Sequence, residues 1–317
     1  MMRKVLLLLL VILSSVFLGG CSAKISNEIK VILPSGTPLI AVGGLLEEEN
    51  VDYTVVSGAD LLTTAMISKS HDIVIAPLTL GMKLFMNESS SYKVYAIITF
   101  GNTYLVSRKT TALNSMADVN QQDIMAFGQN NTPDIILKAA LEDNKYQANI
   151  TYQAGVNDIV PFFVCGDGNC EKAPKYILSA EPTITTLELK YGLELNILNL
   201  QDVMGEDHEK IPQAALFINP DSPYLKDIEI FMKKLEKNIN EMNNKTNAYV
   251  DKIIGFHDFF QKTGADVLKR SIPRSNINFL FAEENKEIVV AYCNLLNKYN
   301  NKILGGSVVD EEIYYKN

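Results

Sequence analysis

The sequence predicts an α/β fold of two lobes, each a mostly parallel sheet flanked by helices. β-rich runs alternate with helix-length segments, the pattern of parallel strands that are covered on both faces. This alternation occurs in two similar series along the 317 residues, which agrees with a prior of about 150 residues per domain. Hydrophobic residues make up 47% of the chain and charged residues 21%, values that exclude a disordered protein.

The first element is an N-terminal export signal. Arg3 and Lys4 precede an uncharged, mostly apolar run at 5–17, which is too short to cross a hydrocarbon core of about 30 Å. Leu18-Gly19-Gly20-Cys21 resembles the bacterial lipobox. That resemblance implies a lipoprotein signal peptide at 1–20 and acylation of Cys21, whose palmitate-type chains would anchor the protein in the membrane. The alternative is an ordinary secretory signal followed by an incidental cysteine. Residues 22–28 then form a short polar tether, and the folded part begins near Ile29.

The first βα series follows the tether. Short runs of β-branched and apolar residues predict strands at 29–33, 51–56 and 71–76. Apolar residues at helical spacing predict helices at 39–49, at 57–67, and after Thr79.

The second series begins after the apolar run 94–100. An extended crossing segment is predicted at 104–107, strands at 124–128, 149–153 and 176–180, and helices at 134–141, 157–164 and 181–191. A return strand is predicted at 214–218, and the remaining hundred or so residues are predicted to be largely helical, with apolar stripes that form core.

Polar loops rich in small residues follow several of the predicted strands. In an open parallel sheet, ligands bind outside the carboxyl ends of the strands, where helix N-termini present free N–H groups. Each loop alone could merely cap its helix, but six loops at one crevice predict a ligand cleft. These loops are 35–37, 57–58, Thr79, 101–103, 129–132 and 181–183.

Five motifs together carry a family resemblance. They are the lipobox, Pro-Ser-Gly-Thr-Pro at 34–38, Asp-Ile-Val-Ile-Ala-Pro at 72–77, Gly-Asn-Thr-Tyr-Leu-Val at 101–106 and Ala-Glu-Pro-Thr at 180–183. With them the chain resembles a solute-binding lipoprotein of an ABC importer. The resemblance is to the type II periplasmic-binding-protein fold, in the branch that binds nitrate, sulfonates and thiamine-pyrimidine precursors.

The resemblance implies how the chain is organised and what it does. Lobe 1 would comprise 27–102 plus 216–317, and lobe 2 would comprise 103–215. Two crossing strands would form a hinge at 101–104 and near 216–219. A monomer on the extracytoplasmic face of the cell membrane would capture a small solute between its lobes. It would then deliver the solute to the permease and ATPase subunits of the transporter.

Candidate ligand contacts lie in the loops described above. Tyr104 and Phe127 could stack on a planar ligand, although a core role is favoured for Phe127. Because these loops contain Glu181 and neither Lys nor Arg, we expect a neutral or cationic, heteroaromatic solute. The predicted contacts are Ser35, Gly36, Thr37, Thr79, Asn102, Tyr104, Phe127, Gln129, Asn131, Thr132, Glu181 and Thr183. Arg274 lies outside these loops and is predicted to form a structural salt bridge.

Two cysteines flank the short turn 166–169. In an exported protein this pattern favours a disulfide between Cys165 and Cys170, with free thiols or a metal or redox site as alternatives. Cys293 lies in an apolar helical stripe and is predicted to be a buried thiol. The three histidines lack metal-ligand spacing, so no metal and no cofactor are predicted.

The sequence favours a binding protein over an enzyme. It contains none of the Gly-x-Ser-x-Gly, His-Glu-x-x-His or phosphate-loop motifs. Its net charge of −8, without a basic block, argues against nucleic acid as a partner. Two alternatives remain. One is an exported enzyme of the pyrimidine-precursor-synthase type, with Cys165 and Cys170 as its reactive groups. The other is a membrane-tethered sensor or adhesion module.

Overall fold

The computed structural model describes residues 23–165, 173–204, 211–305 and 311–316. The predicted signal peptide at 1–20, the predicted lipidation site Cys21 and the predicted disulfide partner Cys170 lie outside the described residues. Within the described ranges, no helix is both long and apolar enough to cross a membrane.

Eleven strands of the described chain form two sheets. In chain order they are β1 Ile29–Pro34, β2 Val51–Val56, β3 Ile73–Pro77, β4 Lys93–Thr99, β5 Tyr104–Arg108, β6 Asp123–Phe127, β7 Asn149–Gln153, β8 Tyr176–Ser179, β9 Leu195–Asn199, β10 Ala214–Ile218 and β11 Ile277–Phe281. The first sheet has the order β11-β4-β10-β3-β1-β2, and the second has the order β7-β6-β8-β5-β9. The first sheet therefore takes strands from both ends of the chain, and the second takes only the middle.

Both sheets are mixed. β1 pairs in parallel with β2 and β3, and β6 pairs in parallel with β7 and β8. β10 runs antiparallel to β3 and β4, β11 runs antiparallel to β4, and β5 runs antiparallel to β8 and β9. The remaining strands of each sheet share one direction, so the predicted two-sheet α/β class is confirmed. The strands that run in the opposite direction are β5, β10 and β11. Of these, β5 and β10 each follow a segment in which the chain passes from one sheet to the other.

Helices cover both sheets. They are α1 Thr37–Val42, α2 Asp60–Ser68, α3 Leu78–Met86, α4 Thr132–Asp143, α5 Val156–Phe163, α6 Thr183–Leu189, α7 Leu225–Asn244, α8 Thr246–Ile253, α9 Asp258–Thr263, α10 Ala265–Ser271 and α11 Lys286–Tyr299. The stripe predicted on α7 is core, because Ile228, Phe231 and Leu235 are all buried. The other predicted helices begin or end within a few residues of those observed, except that the first stops at Val42 and continues as a 3-10 turn, Gly43–Leu45.

One buried apolar cluster extends from the first sheet to the second. It includes Val74 and Ile97 of the first sheet, Leu105 and Ile124 of the second, and the face of α11 that carries Cys293. Cys293 is a free thiol and is only 1% exposed, as predicted. Burial raises the pKa of this thiol to about 12, so it stays protonated and apolar.

The chain passes between the sheets at two places. The residues 101–103 join β4 to β5, and 200–213, of which 205–210 lie outside the description, join β9 to β10. Gly101 has a φ of 53°, and the Gln201 side chain packs directly against it. The lobe boundaries and the hinge remain predictions. Strand β10 begins at Ala214, two residues before the predicted return to lobe 1.

The N-terminal segment is fixed to the first sheet earlier than predicted. Ile25 is buried, the backbone N–H of Ser26 donates to Asp227 at 2.7 Å, and the Asn27 amide donates to the same carboxylate at 2.8 Å. Asn50 donates to the Ile25 carbonyl at 2.8 Å. The predicted tether at 22–28 is therefore too long, because Ile25 is apolar and finds a buried site against the sheet.

Candidate functional site

A cavity of about 670 Å³ opens where several strand ends and helix starts meet. Its wall includes the last residues of three strands of the first sheet, namely Pro34 of β1, Pro77 of β3 and Thr99 of β4. Four of the predicted contacts line it, namely Thr37, Thr79, Asn131 and Thr132. Thr37 and Thr79 follow strands of the first sheet, whereas Asn131 and Thr132 follow β6 of the second. The cavity therefore lies between the two sheets, at the edge where ligands bind in open α/β sheets.

Three helices of eight or more residues begin at this cavity. They are α2, α3 and α4, and the wall includes Ala59 and Asn131, which directly precede α2 and α4, and Thr79, the second residue of α3. None of these three described helices has a side-chain cap hydrogen bond at its first residue. Capping therefore does not account for the polar residues at these helix starts. The positive ends of the helix dipoles face a common space.

Two lysines also line the cavity, and the sequence analysis missed both. Lys83 lies on α3 four residues after Thr79, and Lys302 lies beyond the end of α11. No carboxylate is among the described residues of the wall. The predicted loops contain no Lys or Arg, but the cavity wall also includes these two lysines from outside the loops. The helical spacing from Thr79 to Lys83 could have revealed the first lysine, but nothing in the sequence near Lys302 indicates that it folds back to this wall.

The segment that follows the C-terminal helix α11 forms a third side of the cavity. The hydroxyls of Tyr292 on α11 and of Thr132 are 2.8 Å apart and hydrogen-bonded, and Lys298 lies 2.7 Å from Glu142 of α4. Asn300 donates to the Asn130 carbonyl at 3.0 Å. These contacts hold α11 and the residues after it against α4 and the turn before it. They place Asn300, Lys302 and Ile303 at the cavity wall.

Four other predicted contacts do not form the wall. Ser35 and Gly36 lie in the turn between Pro34 and Thr37, and Ser35 uses its backbone N–H to bond Val56. Gln129 precedes the lining residue Asn131 by two positions but is not part of the wall. Phe127 packs against the cores on both faces of the second sheet, which agrees with the core alternative for that residue.

Three further predicted contacts form a separate polar cluster with Arg274, here called the Arg274 cluster (Asn102, Tyr104, Glu181, Glu188 and Arg274). Asn102 holds the backbone of Glu181 twice, accepting from its N–H at 2.7 Å and donating to its carbonyl at 3.1 Å. Arg274 Nε lies 2.6 Å from Glu181 Oε1, and Arg274 also pairs with Glu188 Oε2 at 2.8 Å. Tyr104 donates its hydroxyl proton to the Arg274 carbonyl. The predicted salt bridge of Arg274 is therefore confirmed.

Glu181 is the most deeply buried acid of this cluster. Its side chain has no exposed surface, while that of Arg274 is 29% exposed. Burial raises the pKa of Glu181, and the nearby Arg274 guanidinium and the Thr185 N–H offset part of that rise. Glu181 is thus committed to a protein partner and does not reach the cavity wall.

Thr183 belongs neither to the cavity wall nor to the Arg274 cluster. Its hydroxyl donates to Asn157 Oδ1 at 3.2 Å. Both residues line a shallow pocket of about 470 Å³ between α5, α6 and α9. A further cavity of about 580 Å³ is lined mainly by amide side chains, with Asp202 as its charged group, and contains none of the predicted contacts.

The described residues contain no group of three or more His, Cys, Asp or Glu side chains that could hold a metal. Cys165 is disulfide-bonded, and Arg108 lies 3.3 Å from its sulfur. Since Cys170 lies outside the described residues, its pairing with Cys165 remains a prediction.

Comparisons with known proteins agree on the fold. No protein-family model matches the chain, and no curated protein matches it in sequence. An ABC transporter structure from Parabacteroides distasonis shares 21% identity, covers 92% of this chain and 99% of its own, and has a TM-score of 0.77. The periplasmic aliphatic sulphonate binding protein SsuA from Escherichia coli shares 10% identity, covers 92% of each chain and has a TM-score of 0.69.

A third solved structure also matches. The ligand binding component of an ABC-type import system from Staphylococcus aureus, which has zinc bound, shares 14% identity with a TM-score of 0.64. It covers 91% of this chain and 98% of its own. At these identities the likeness establishes the fold alone. The chain has the two-sheet α/β fold of periplasmic binding proteins.

Proposed function

We propose that the protein is the solute-binding component of an ABC importer. The observation that carries this proposal is the cavity between the two sheets, with helix starts from both sheets in its wall. A solute there would contact the first-sheet residues Thr37 and Thr79 and the second-sheet residues Asn131 and Thr132 at once. Contacts of this kind couple binding to closure of two lobes, the event that a permease could recognise.

The wall favours a solute with an anionic group and an apolar part. Lys83 and Lys302 supply positive charge, the starts of α2, α3 and α4 supply donors, and no described carboxylate opposes them. Pro38, Leu80 and Ile303 add apolar surface. This replaces the neutral or cationic solute expected from the loops alone, because the two lysines come from outside those loops.

The remaining parts of the proposal rest on the sequence. The lipobox-like start supports cleavage after residue 20 and lipid anchoring at Cys21 on the extracytoplasmic face. The resemblance supports permease and ATPase subunits as partners. We propose a non-catalytic role, since the cysteine on which the enzyme alternative depended, Cys165, is bonded and provides no free thiolate.

A thermal-shift screen of the purified protein tests this function. The screen uses straight-chain sulfonates, carboxylates and phosphonates beside uncharged alcohols and amides of equal length. A bound solute at 100 times its dissociation constant should add about 2.7 kcal/mol to the free energy of unfolding. We expect the anions to raise the melting temperature and their uncharged counterparts not to. The proposal fails if no compound in the panel or in a wider vitamin and amino acid set raises it.

Matched variants locate the site. Lys302→Met and Lys83→Met should each weaken binding of an anionic solute by about tenfold or more, since each removes a charged hydrogen-bond donor. Lys69→Met is the control, because Lys69 pairs with Asp221 on the surface and is not part of the wall. Equal affinity in all three variants would place the solute elsewhere.

A further inference from the structure

The Arg274 cluster joins three parts of the chain that belong to different sheets. Asn102 lies in the first passage between the sheets, and Tyr104 begins β5. Glu181 and Glu188 lie at the start and in the last turn of α6, after β8 of the second sheet. Arg274 lies in the 3-10 turn Ile272–Arg274, which leads into β11 of the first sheet. The guanidinium therefore connects the first-sheet layer to the second at the place where the chain crosses.

The contacts restrain both the distance and the orientation between these layers. Arg274 uses Nε for Glu181 and Nη2 for Glu188 and for the Thr185 hydroxyl, the last at 2.7 Å. The Nη2 hydrogen bonds to Glu188 and Thr185 fix the direction of the guanidinium, while the ion pair between Nε and Glu181, which lacks hydrogen-bond geometry, restrains their distance. Arg270 adds a second, more exposed link to Glu188 at 3.0 Å.

The burial and charges of this cluster indicate that it restrains the angle between the two sheets more than it stabilises the folded protein. The Glu181 carboxylate is fully buried, and burial raises its pKa, while the Arg274 guanidinium offsets part of that rise. Buried ion pairs often contribute little net stability, while separating the partners leaves an uncompensated buried charge. A rotation that moves α6 away from Arg274 would leave the Glu181 charge without its partner. The closed cluster thus favours one set of angles between the sheets and penalises the others, without adding much to folding.

We propose that Glu181 and Arg274 are positioning residues for the solute site, and that their ion pair sets the angle between the two sheets. The pair does not touch the cavity wall. It determines how closely the first-sheet residues Thr37 and Thr79 approach the second-sheet residues Asn131 and Thr132. The link to solute capture rests on the proposed function, whereas the control of the angle does not.

Distance measurements between spin labels, made without any solute, test the proposal. Leu61 on α2 and Gln147 before β7 are exposed and belong to different sheet layers. Each is replaced by p-acetylphenylalanine and labelled through its ketone, which leaves the native cysteines untouched. We expect Glu181→Gln and Arg274→Met to broaden the distribution of label distances and move its main peak. Glu188→Gln should produce a smaller shift, because Glu181 still holds Arg274.

Two controls separate a positioning role from a structural one. Lys69→Met breaks an exposed ion pair within the first-sheet layer and should leave the distance distribution unchanged. Glu181→Gln should keep a melting temperature near that of the unsubstituted protein, because the amide has nearly the same shape and Arg274, 29% exposed, keeps Glu188 and solvent as partners for its charge. Glu188→Gln provides a milder test should Arg274→Met not fold. The proposal is overturned if folded Glu181→Gln and Glu188→Gln both show the distance distribution of the unsubstituted protein. The solute screen can fail or succeed independently of that result.

Discussion

Gly101 and Gln201 show at the residue scale how closely the two passages between the sheets approach each other. A Cβ atom on Gly101 would lie 1.5 Å from Gln201 Nε2, and the φ of 53° is one that side chains rarely adopt. Gln201 is buried and comes from the second passage. Glycine is therefore required here for two independent reasons, conformation and space.

Replacing Gly101 by alanine should lower the free energy of unfolding by about 2–4 kcal/mol. About 1 kcal/mol comes from the left-handed backbone and about 1–3 kcal/mol from the overlap with Gln201. Gly192→Ala is the matched control, because Gly192 has a φ of 64° and open space around it. It should lose only about 1 kcal/mol. Urea unfolding of both variants measures the difference, and equal losses would contradict the close packing at Gly101.

Residues that directly follow strands could be placed from the sequence. Thr37, Thr79, Asn131 and Thr132 come together because the ends of parallel strands share one edge of a sheet. Asn102 and Glu181 also follow strands, but together with Tyr104, the first residue of β5, they contact Arg274 or each other, and the position of Arg274 depends on tertiary packing of the C-terminal part. Lys302 was missed for the same reason. Local sequence predicts which loops meet, but not what else reaches them.

At the scale of elements, apolar periodicity predicted the long helix α7, whereas the sequence did not assign β4, β9 or β11 as strands. In α7, buried residues recur at helical spacing along 20 residues. Strand β9 was missed because Leu193, Ile197 and Leu200 also match helical spacing, and all five of its residues are only half buried. Strand β11 is a short apolar run within an otherwise helical region, and its pairing with β4 depends on partners distant in the sequence.

The buried face of α7 supports a second stability prediction. Phe231 has no exposed surface and packs among the core residues of the first sheet. Phe231→Ala should lower the free energy of unfolding by about 3–5 kcal/mol, through lost burial and the cavity left behind. Lys233→Ala, two residues later on the exposed side, should change it by no more than about 0.5 kcal/mol. Urea unfolding measures the loss of unfolding free energy in both variants. A similar, small loss in both would show that the buried face of α7 contributes little to the stability of the first-sheet layer.

At the scale of the whole molecule, the two sheets share more than their connecting segments. The apolar cluster that contains Val74 and Leu105 is continuous from one sheet to the other, and α11 of the first-sheet layer packs on α4 of the second. The sequence predicted two lobes from two βα series but gave no indication of this shared core. Its residues are contributed by nearly every part of the chain.

We expect urea to unfold both sheets in a single transition. Separate cores would unfold in separate steps, whereas one continuous core loses its packing on both sides at once. Far-ultraviolet circular dichroism reports on both sheets, and the fluorescence of the 14 tyrosines, undisturbed by tryptophan, reports on packing around them. The two curves should coincide. Two resolved steps would show that the shared cluster does not couple the sheets.

The early attachment of the N-terminal segment to Asp227 limits how the protein can move at a membrane. With the proposed lipid on Cys21, three residues would lie between the anchor and the buried Ile25, a reach of about 14 Å when fully extended. That length is about half the hydrocarbon thickness of a bilayer. An anchored protein of this kind could not extend far from the membrane to reach a distant permease. It would find its partner by two-dimensional diffusion of the lipid, with the first-sheet layer held close to the lipid headgroups.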